Sequence, residues 1–293
     1  MPSNTNPTVR RRRLGLELRR LRESKNMTAE QVAKRLLVSQ SKISRLENGR
    51  RSISPRDVRD LCGVYEIDDD RVVDSLMQMA RESRQQGWWY AFKDVPYSVY
   101  IGLEDDASSL RVYEPQLITG LLQTPEYAEA VVRGGAPEST EEEVSKRVEV
   151  RIRRQGRLGE QTNPNTGEIK EAIRLWVVLD EACLRRVVGG RRVMREQMEH
   201  LAEQARLPHV TVQVLPFGVG AHAGLAGQYA ILEFAELADS SVVYIEGVTS
   251  DLYLEKPHEV QKYSLMYEHL RAQSLNPEES LQRIQDAAKE YAR

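Results

Sequence analysis

Helical spacing of apolar residues dominates the first 85 positions of the chain. Leu14, Leu18 and Leu21 recur every three to four residues, which predicts a first helix that ends near residues 25–26. Two short helices follow within residues 28–49, a fourth begins at Ser54-Pro55, and a fifth covers about residues 69–84. Five helices of this length predict a compact all-α domain over residues 1–85.

Residues 28–49 have the pattern of two helices joined by a tight turn. Thr28 can cap the first helix, and Gln31 lies three residues later, where it completes a capping box. Ser39 can cap the second helix, and Asn48-Gly49 ends it. The apolar residues of both helices would then face inward: Val32, Ala33, Leu36, Ile43 and Leu46. Caps and apolar pattern therefore both predict a helix-turn-helix.

The polar face of the second helix carries side chains that suit DNA. Gln40, Ser41 and Lys42 would point outward from its first turn, and their hydrogen-bonding groups can read base edges in a major groove. Other polar and basic residues are expected to contact phosphates: Ser44, Arg45, Arg50, Arg51, and the run Arg10, Arg11, Arg12 and Arg13. The alternative is an ordinary helical hairpin whose polar face is merely solvated.

Charge is distributed unevenly along the chain. Residues 1–60 contain 16 lysines and arginines and six acidic residues, a net charge of +10, whereas the whole chain of 293 residues carries −2. The remaining residues therefore carry −12. A basic head on an acidic body places a polyanion-binding surface at the N-terminal domain and coincides with the helix-turn-helix pattern.

The middle of the chain, residues 86–168, is predicted to be a helical linking region. Leu103, Ala107, Leu110 and Tyr113 have helical spacing that Pro115 would end. A further helix begins at Thr124-Pro125, a strongly basic helix covers residues 144–157, and residues 159–168 form a loop.

Strand patterns prevail from residue 169 onward. Apolar or alternating runs predict strands at residues 173–179, 210–215, 228–234, 242–246 and 252–254. Helices are expected at 193–206, 257–273 and 277–292. Since the later strands follow each other through loops, the sheet is expected to be mainly antiparallel. The predicted fold class is thus a multidomain chain, with an α+β domain over residues 169–293 after the five-helix domain and the helical region.

An ordered series of short motifs resembles a known family over nearly the whole chain. Residues 41–50 resemble an XRE-type (lambda-repressor-like) helix-turn-helix. Further motifs follow at Gly87-Trp88-Trp89, at residues 102–104, 120–128, 178–181 and 211–217, at His222-Ala223-Gly224 and at Tyr253-Leu254-Glu255. Together they are similar to the WhiJ-like regulators of actinobacteria, which join such a DNA-binding domain to a C-terminal domain of unknown function.

The resemblance implies one structural contact and shows two departures. Arg22 and Glu47 match an ion pair between the first helix and the recognition helix of lambda-repressor-like domains, which makes Glu47 structural. The turn between the motif helices usually carries a glycine, whereas this chain has Leu37, and Thr119 stands where a proline is usual. Roles in development, in secondary metabolism and in antitoxin-like pairing with small partner proteins are implied by resemblance.

Catalytic, cofactor and metal sites are not expected. The glycine-rich loop at residues 217–227 lacks the Lys-Ser/Thr ending of a phosphate-binding loop, and His222 has no second His or Cys nearby. Acidic residues near the strands (Glu181, Glu233, Glu246 and Glu255) are ordinary on a half-exposed sheet. Cys62 and Cys183 are expected to be reduced and buried, and no apolar run could span a bilayer, which predicts a cytoplasmic protein.

The aromatic cluster that follows the first domain has two explanations. Trp88, Trp89, Tyr90 and Tyr100 belong to it, with Phe92 and Tyr97. The cluster could pack the DNA-binding domain onto the body, which is the favoured interpretation, or line a pocket for an unknown small effector.

The sequence as a whole predicts a homodimeric, sequence-specific transcriptional regulator that binds a palindromic operator. Residues 86–293 are expected to drive dimerisation, and the helix near the C-terminus offers an apolar face that suits either core or interface: Val260, Tyr263, Met266, Tyr267 and Leu270. The alternative is an antitoxin-like protein that binds a small cognate protein and regulates its own operon.

Overall fold

A computed structural model describes residues 9–49, 51–83, 88, 92, 98–162, 169–235 and 241–293. The chain divides into two compact units. The first, here called the helical unit, comprises Met1–Lys93 and Ser98–Leu103, and the second, the sheet unit, comprises Asp94–Tyr97 and Glu104–Arg293. Among the described residues, none of the helices combines the length and the apolar character that crossing a bilayer requires.

The helical unit contains the five helices that the sequence predicts. They are α1 (Val9–Ser24), α2 (Ala29–Arg35), α3 (Gln40–Glu47), α4 (Pro55–Val64) and α5 (Asp70–Glu82). Apolar side chains from all five helices form one core, which includes Leu18, Val32, Ile43, Leu61 and Met77. Cys62 is a free, buried thiol in this core, and Cys183 is free and buried in the sheet unit, as predicted.

Two backbone features set the geometry of α1, α2 and α3. Gly15 lies against the C-terminal end of α3, and a Cβ atom there would overlap the carbonyl oxygen of Glu47. The helix α2 ends in a Schellman motif, in which Val38 N–H donates to Ala33 O (2.9 Å) and Leu37 N–H donates to Lys34 O (3.3 Å). Leu37 therefore takes the left-handed conformation that a glycine usually supplies, with φ +55°.

The sheet unit begins within α6 (Ser98–Asp106) and is built around one six-stranded sheet. Its further helices are α7 (Pro125–Gly135), α8 (Glu141–Arg154), α9 (Ala182–Arg185), α10 (Arg191–Gln204), α11 (Pro257–Gln273) and α12 (Pro277–Ala292). Its strands are β1 (Ser109–Glu114), β2 (Gln161–Thr162), β3 (Ile169–Lys170), β4 (Arg174–Asp180), β5 (Val210–Leu215), β6 (Tyr229–Glu233), β7 (Val242–Ile245) and β8 (Leu252–Leu254). The predicted bounds of α11 and of α12 are confirmed.

The main sheet is mixed, with strand order β5-β4-β1-β6-β7-β8, and β2 pairs with β3 in a separate ribbon. β6, β7 and β8 pair antiparallel in chain order, as predicted. β1, which was not predicted as a strand, pairs antiparallel with β6 and parallel with β4, and β4 pairs parallel with β5. The chain passes from β1 to β4 through α7 and α8, and from β4 to β5 through α9 and α10. Helical crossovers of this length are what parallel neighbours require.

The helix predicted from Leu103 to Tyr113 is wrong in its second half. The chain leaves α6 at Asp106 and forms β1, so Leu110 and Tyr113 are strand residues in the middle of the sheet. Both are buried on opposite faces, because both faces of this central strand are covered. Residues 86–168 therefore include a central strand of the sheet as well as helices.

The apolar face of α11 is part of the core. Tyr267 and Leu270 are buried against strand residues such as Val178 and Ile231. Val260, Tyr263 and Met266 pack against the same cluster. Of the two uses that the sequence allows for this face, core or dimer interface, the structure shows the core.

Candidate nucleic-acid interface

Side-chain caps fix the start of both motif helices. Thr28 and Gln31 form the predicted capping box at α2, where Thr28 N–H donates to Gln31 Oε1 (2.8 Å) and Gln31 N–H donates to Thr28 Oγ1 (3.2 Å). At α3, Ser39 Oγ accepts the N–H of Lys42 (3.2 Å). The tight turn between them is the Schellman motif around Leu37, whose side chain is 93% exposed.

The helix α3 has one buried side and one exposed side. Ile43 and Leu46 lie in the core of the helical unit. Gln40, Ser41 and Arg45 are exposed, and Arg45 Nε donates to the carbonyl oxygen of Ser41 (3.1 Å). Ser44 is also exposed and accepts a hydrogen bond from Asn48 Nδ2 (3.3 Å). The exposed side is thus a continuous polar surface one helix wide.

Lys42 differs from its neighbours in this surface. Its Nζ donates to Asp57 Oδ1 across the gap between α3 and α4 at 3.2 Å, and both side chains are only partly exposed, 26% for Lys42 and 30% for Asp57. Burial would raise the pKa of Asp57, but hydrogen bonds from Ser54 and Lys42 hold it below its usual range. The carboxylate therefore stays ionised beside the ammonium group.

Arg22 and Glu47 form a buried, two-pronged ion pair. Arg22 Nε donates to Glu47 Oε1 (2.7 Å), and Nη2 donates to Oε2 (3.0 Å). The third nitrogen, Nη1, donates to the carbonyl oxygen of Met27 (2.6 Å). The hydrogen bond to Glu47 raises the pKa of Arg22. The pair connects α1 to the last residue of α3 and so sets the direction of the exposed helix.

The arginines expected to contact phosphates occupy different surroundings. The helix α1 begins at Val9, so residues 10–13 are helical. Arg12 is only 8% exposed, whereas a contact with phosphate requires an exposed side chain. Arg11 is partly exposed, while the side chains of Arg10 and Arg13 lie outside the described residues. Arg51 is exposed, and its N–H donates to the carbonyl oxygen of Arg45 (3.1 Å). Arg50 lies outside the described residues.

The predicted aromatic pocket is only partly described. Trp89 and Tyr90 lie outside the described residues. Trp88 is partly exposed and meets Phe92 edge to face, with ring centroids 6.1 Å apart. Tyr100 is buried in α6.

His222, isolated in the sequence, has an acidic neighbour in the structure. Its Nε2 lies 3.7 Å from Asp180 Oδ2, and its Nδ1 accepts the N–H of Gly224 (3.1 Å). The Tyr113 ring lies edge-on to the imidazole at 6.0 Å. His222 and Asp180 both lie in motifs that resemble the family. Their contact arises because the C-terminal end of β4 meets the loop at residues 217–227. In the described part of the chain, no three His, Cys, Asp or Glu side chains are grouped to hold a metal ion.

Glu181 binds the start of the glycine-rich loop at residues 217–227. Its Oε2 accepts the N–H of Phe217 (3.1 Å), and its Oε1 accepts hydrogen bonds from Arg283 (3.0 Å) and Arg185 (3.3 Å). Burial would raise the pKa of Glu181, but these partners hold it low. The acid therefore has a structural task.

Glu114, the last residue of β1, has a carboxyl group whose pKa is strongly shifted. Burial and the negative charge of Glu246 raise its pKa to about 8. The pKa of Glu246 is itself raised, by partial desolvation of its carboxyl group and by the negative charge of Asp251. The sequence analysis does not single out Glu114 and treats Glu246 as an ordinary acid of the sheet, because only the strand pairing brings the end of β1 near the β7–β8 connection.

Comparisons with known proteins agree with the division into two units. Residues 13–74 match a family described as a helix-turn-helix domain, so the helical unit carries a fold that binds DNA. Residues 97–286 match a domain of unknown function, DUF5753. Neither a curated protein nor a solved structure shows significant similarity to the chain. Because the second match covers more than half of the sequence, the chain belongs to the DUF5753 family and combines its domain with an N-terminal helix-turn-helix.

Proposed function

We propose that this protein is a sequence-specific transcriptional regulator that reads DNA with α3. The carrying observation is the amphipathic placement of α3, which buries Ile43 and Leu46 and exposes Gln40 and Ser41 on its first turn. An α-helix with its side chains is about 10–12 Å in diameter, which fits a major groove about 12 Å wide. The match to the helix-turn-helix family supports the same assignment.

In this proposal the contacts divide by chemistry. Gln40, Ser41 and Lys42 contact base edges, whereas Ser44, Arg45 and Arg51 contact phosphates. Arg50 and the run Arg10–Arg13, apart from the buried Arg12, add further phosphate contacts. The excess of positive charge in residues 1–60 supplies the sequence-independent attraction to the duplex. Glu47, held by Arg22, orients α3 and contacts no DNA.

The finer assignment is an XRE-type regulator of the WhiJ-like family that acts as a homodimer on a palindromic operator. One helix-turn-helix reads only a few base pairs, so two copies related by a twofold axis would read half-sites about 34 Å apart. The sheet unit would supply the dimer contact and receive a signal, and it would have no catalytic activity. The resemblance of the motifs and the order of the two family matches support this proposal.

Selection of bound duplexes from a random-sequence library tests the proposal. We expect the full chain to enrich a two-fold symmetric site. Gln40→Ala should then weaken binding to that site by about 1–3 kcal/mol and relax one base position. Gln78→Ala is the matched control, because Gln78 is an exposed glutamine on α5, away from the motif helices. A library that stays unenriched, or equal losses for both variants, would contradict the proposal.

The antitoxin-like alternative differs in the complex it forms. Light scattering on the purified full chain should give a dimer if the regulator proposal holds. A chain that is monomeric alone and co-purifies from its host in a stoichiometric complex with one small protein would favour the antitoxin-like function instead.

A further inference from the structure

Lys42 and Asp57 place opposite charges at the edge of the exposed α3 surface. Lys42 lies in the first turn of α3, and Asp57 lies in the first turn of α4. The aspartate is itself fixed, because its Oδ2 accepts hydrogen bonds from the N–H (3.1 Å) and the Oγ (2.6 Å) of Ser54. A carboxylate that is fixed by two hydrogen bonds from Ser54 gives the flexible lysine a defined position.

This contact changes what Lys42 can offer to DNA. A free lysine is a point charge that binds any phosphate, whatever the sequence. Beside Asp57 the charge of Lys42 is balanced, so its attraction to phosphate is small. Its ammonium group has three N–H donors, and Asp57 takes one. The other donors keep their directional preference for an acceptor pair such as guanine O6 and N7.

We infer that Asp57 is a specificity-determining positioning residue for DNA binding: it balances and orients Lys42, so that Lys42 discriminates between bases and does not bind phosphates. The inference rests on the proposed function and adds to it a residue that touches no DNA. Asp57 lowers the affinity for non-cognate duplexes more than the affinity for the selected site.

Asp57→Asn tests the inference on the full chain, with two probes: the duplex selected from the random library and the same duplex with its sequence scrambled. The variant keeps an oxygen that accepts the Ser54 N–H and removes the charge. Affinity for the scrambled duplex should rise about five-fold, as expected for a partly exposed ion pair worth about 1 kcal/mol. The slope of log affinity against log salt should steepen by roughly 0.9, because Lys42 then neutralises one more phosphate. Affinity for the selected duplex should change less.

Asp60→Asn is the matched control. Asp60 is an exposed aspartate on the same helix, and its removal changes the net charge equally. We expect a smaller gain that is the same for both duplexes. Equal effects of the two variants on both duplexes would show that only net charge matters, and would overturn the role of Asp57.

Lys42→Ala removes the other partner of the ion pair and leaves the α4 cap intact. It should weaken binding to the selected duplex strongly and change binding to the scrambled duplex by no more than the small net-charge effect seen with Asp60→Asn. In the Lys42→Ala background, Asp57→Asn should keep only the small gain that Asp60→Asn shows, and a larger gain on the scrambled duplex would overturn the inference. If the unmodified chain selects no duplex, the proposed function itself fails, which is distinguishable from a selected site that Asp57→Asn and Asp60→Asn affect alike.

Discussion

In the described part of the chain, a buried arginine–glutamate pair occurs in each of the two units, and the two pairs differ in what surrounds them. In the helical unit, Arg22 binds Glu47 and also donates to the Met27 carbonyl oxygen. In the sheet unit, Arg154 of α8 binds Glu104 of α6 with two hydrogen bonds of 2.7 Å, and Glu104 is only 1% exposed. The first pair sets the orientation of a surface helix, whereas the second pair lies in the protein core. A strong ion pair is thus no sign of function until its neighbours are known.

Loss of Glu104 should produce the largest effect. Glu104→Gln removes the buried negative charge that accepts both of these hydrogen bonds from Arg154, and we expect a loss of about 3–5 kcal/mol in the unfolding free energy of the sheet unit. Hydrogen exchange resolved by residue can measure this loss separately in each unit. Glu142→Gln, at an exposed pair with Lys146 on α8, is the control and should change little. Equal protection in both variants would mean that the buried pair contributes nothing.

Loss of Glu47 should cost the helical unit somewhat less. In Glu47→Gln, Arg22 retains the Met27 carbonyl oxygen and the contact with Glu23 at 3.4 Å, so we expect about 2–4 kcal/mol. Because Glu47 also fixes the end of α3, affinity for the selected duplex should fall even where the unit remains folded. Glu17→Gln, at an exposed pair with Arg20, serves as the control. If folded Glu47→Gln protein kept full affinity for the selected duplex, the ion pair would not set the orientation of α3.

The sheet unit should also respond to pH through Glu114. Its pKa is about 8 in the folded chain against an ordinary value of 4.5, so the folded state binds more protons between these values. The contribution to stability is complete below about pH 4.5 and is lost as pH rises through about 8. Glu114→Gln should therefore flatten the fall in unfolding free energy over this window by roughly 1–3 kcal/mol. Denaturant titrations at several pH values measure it, with exposed Glu126→Gln as control. An unchanged pH profile would contradict the raised pKa.

The smallest expected effect has the opposite sign. Leu37→Gly removes an exposed leucine from a left-handed conformation and should stabilise the helical unit by about 0.5–1 kcal/mol. Leu37→Ala keeps the conformational strain and is the control, with little gain expected. Thermal unfolding followed by circular dichroism compares the two, and a destabilised glycine variant would show that the leucine side chain contributes to the fold.

Local signals made the helical unit predictable. Each signal for α2 and α3 lies within a few neighbouring residues: the caps at Thr28 and Ser39, and the apolar spacing around Ile43. Both helices could therefore be predicted from the sequence. The same held for α12, whose start is marked by Asn276-Pro277. Lys42 could be assigned to the exposed surface from its spacing. Its contact with Asp57 could not, because that requires the angle between α3 and α4.

The sheet unit shows where local signals fail. Leu110 and Tyr113 are three residues apart, which suits a helix face, but β1 lies between two strands and buries both of its faces. A strand covered on both sides loses the alternation that identifies strands. Once β1 is missed, its parallel pairing with β4 cannot be predicted, and neither can the position of Glu114 at the sheet edge.

The position of β1 in the sheet has a consequence for synthesis on the ribosome. Helices α1 to α5 make their contacts within the first 83 residues, so the helical unit can fold early in elongation. β1 needs β4 on one side and β6 on the other, and β6 ends only at Glu233. More than a hundred further residues must therefore be synthesised before both edges of β1 can be paired. During that interval the nascent chain carries a complete helical unit together with an unpaired strand edge, and an unpaired edge is a template for pairing with other chains.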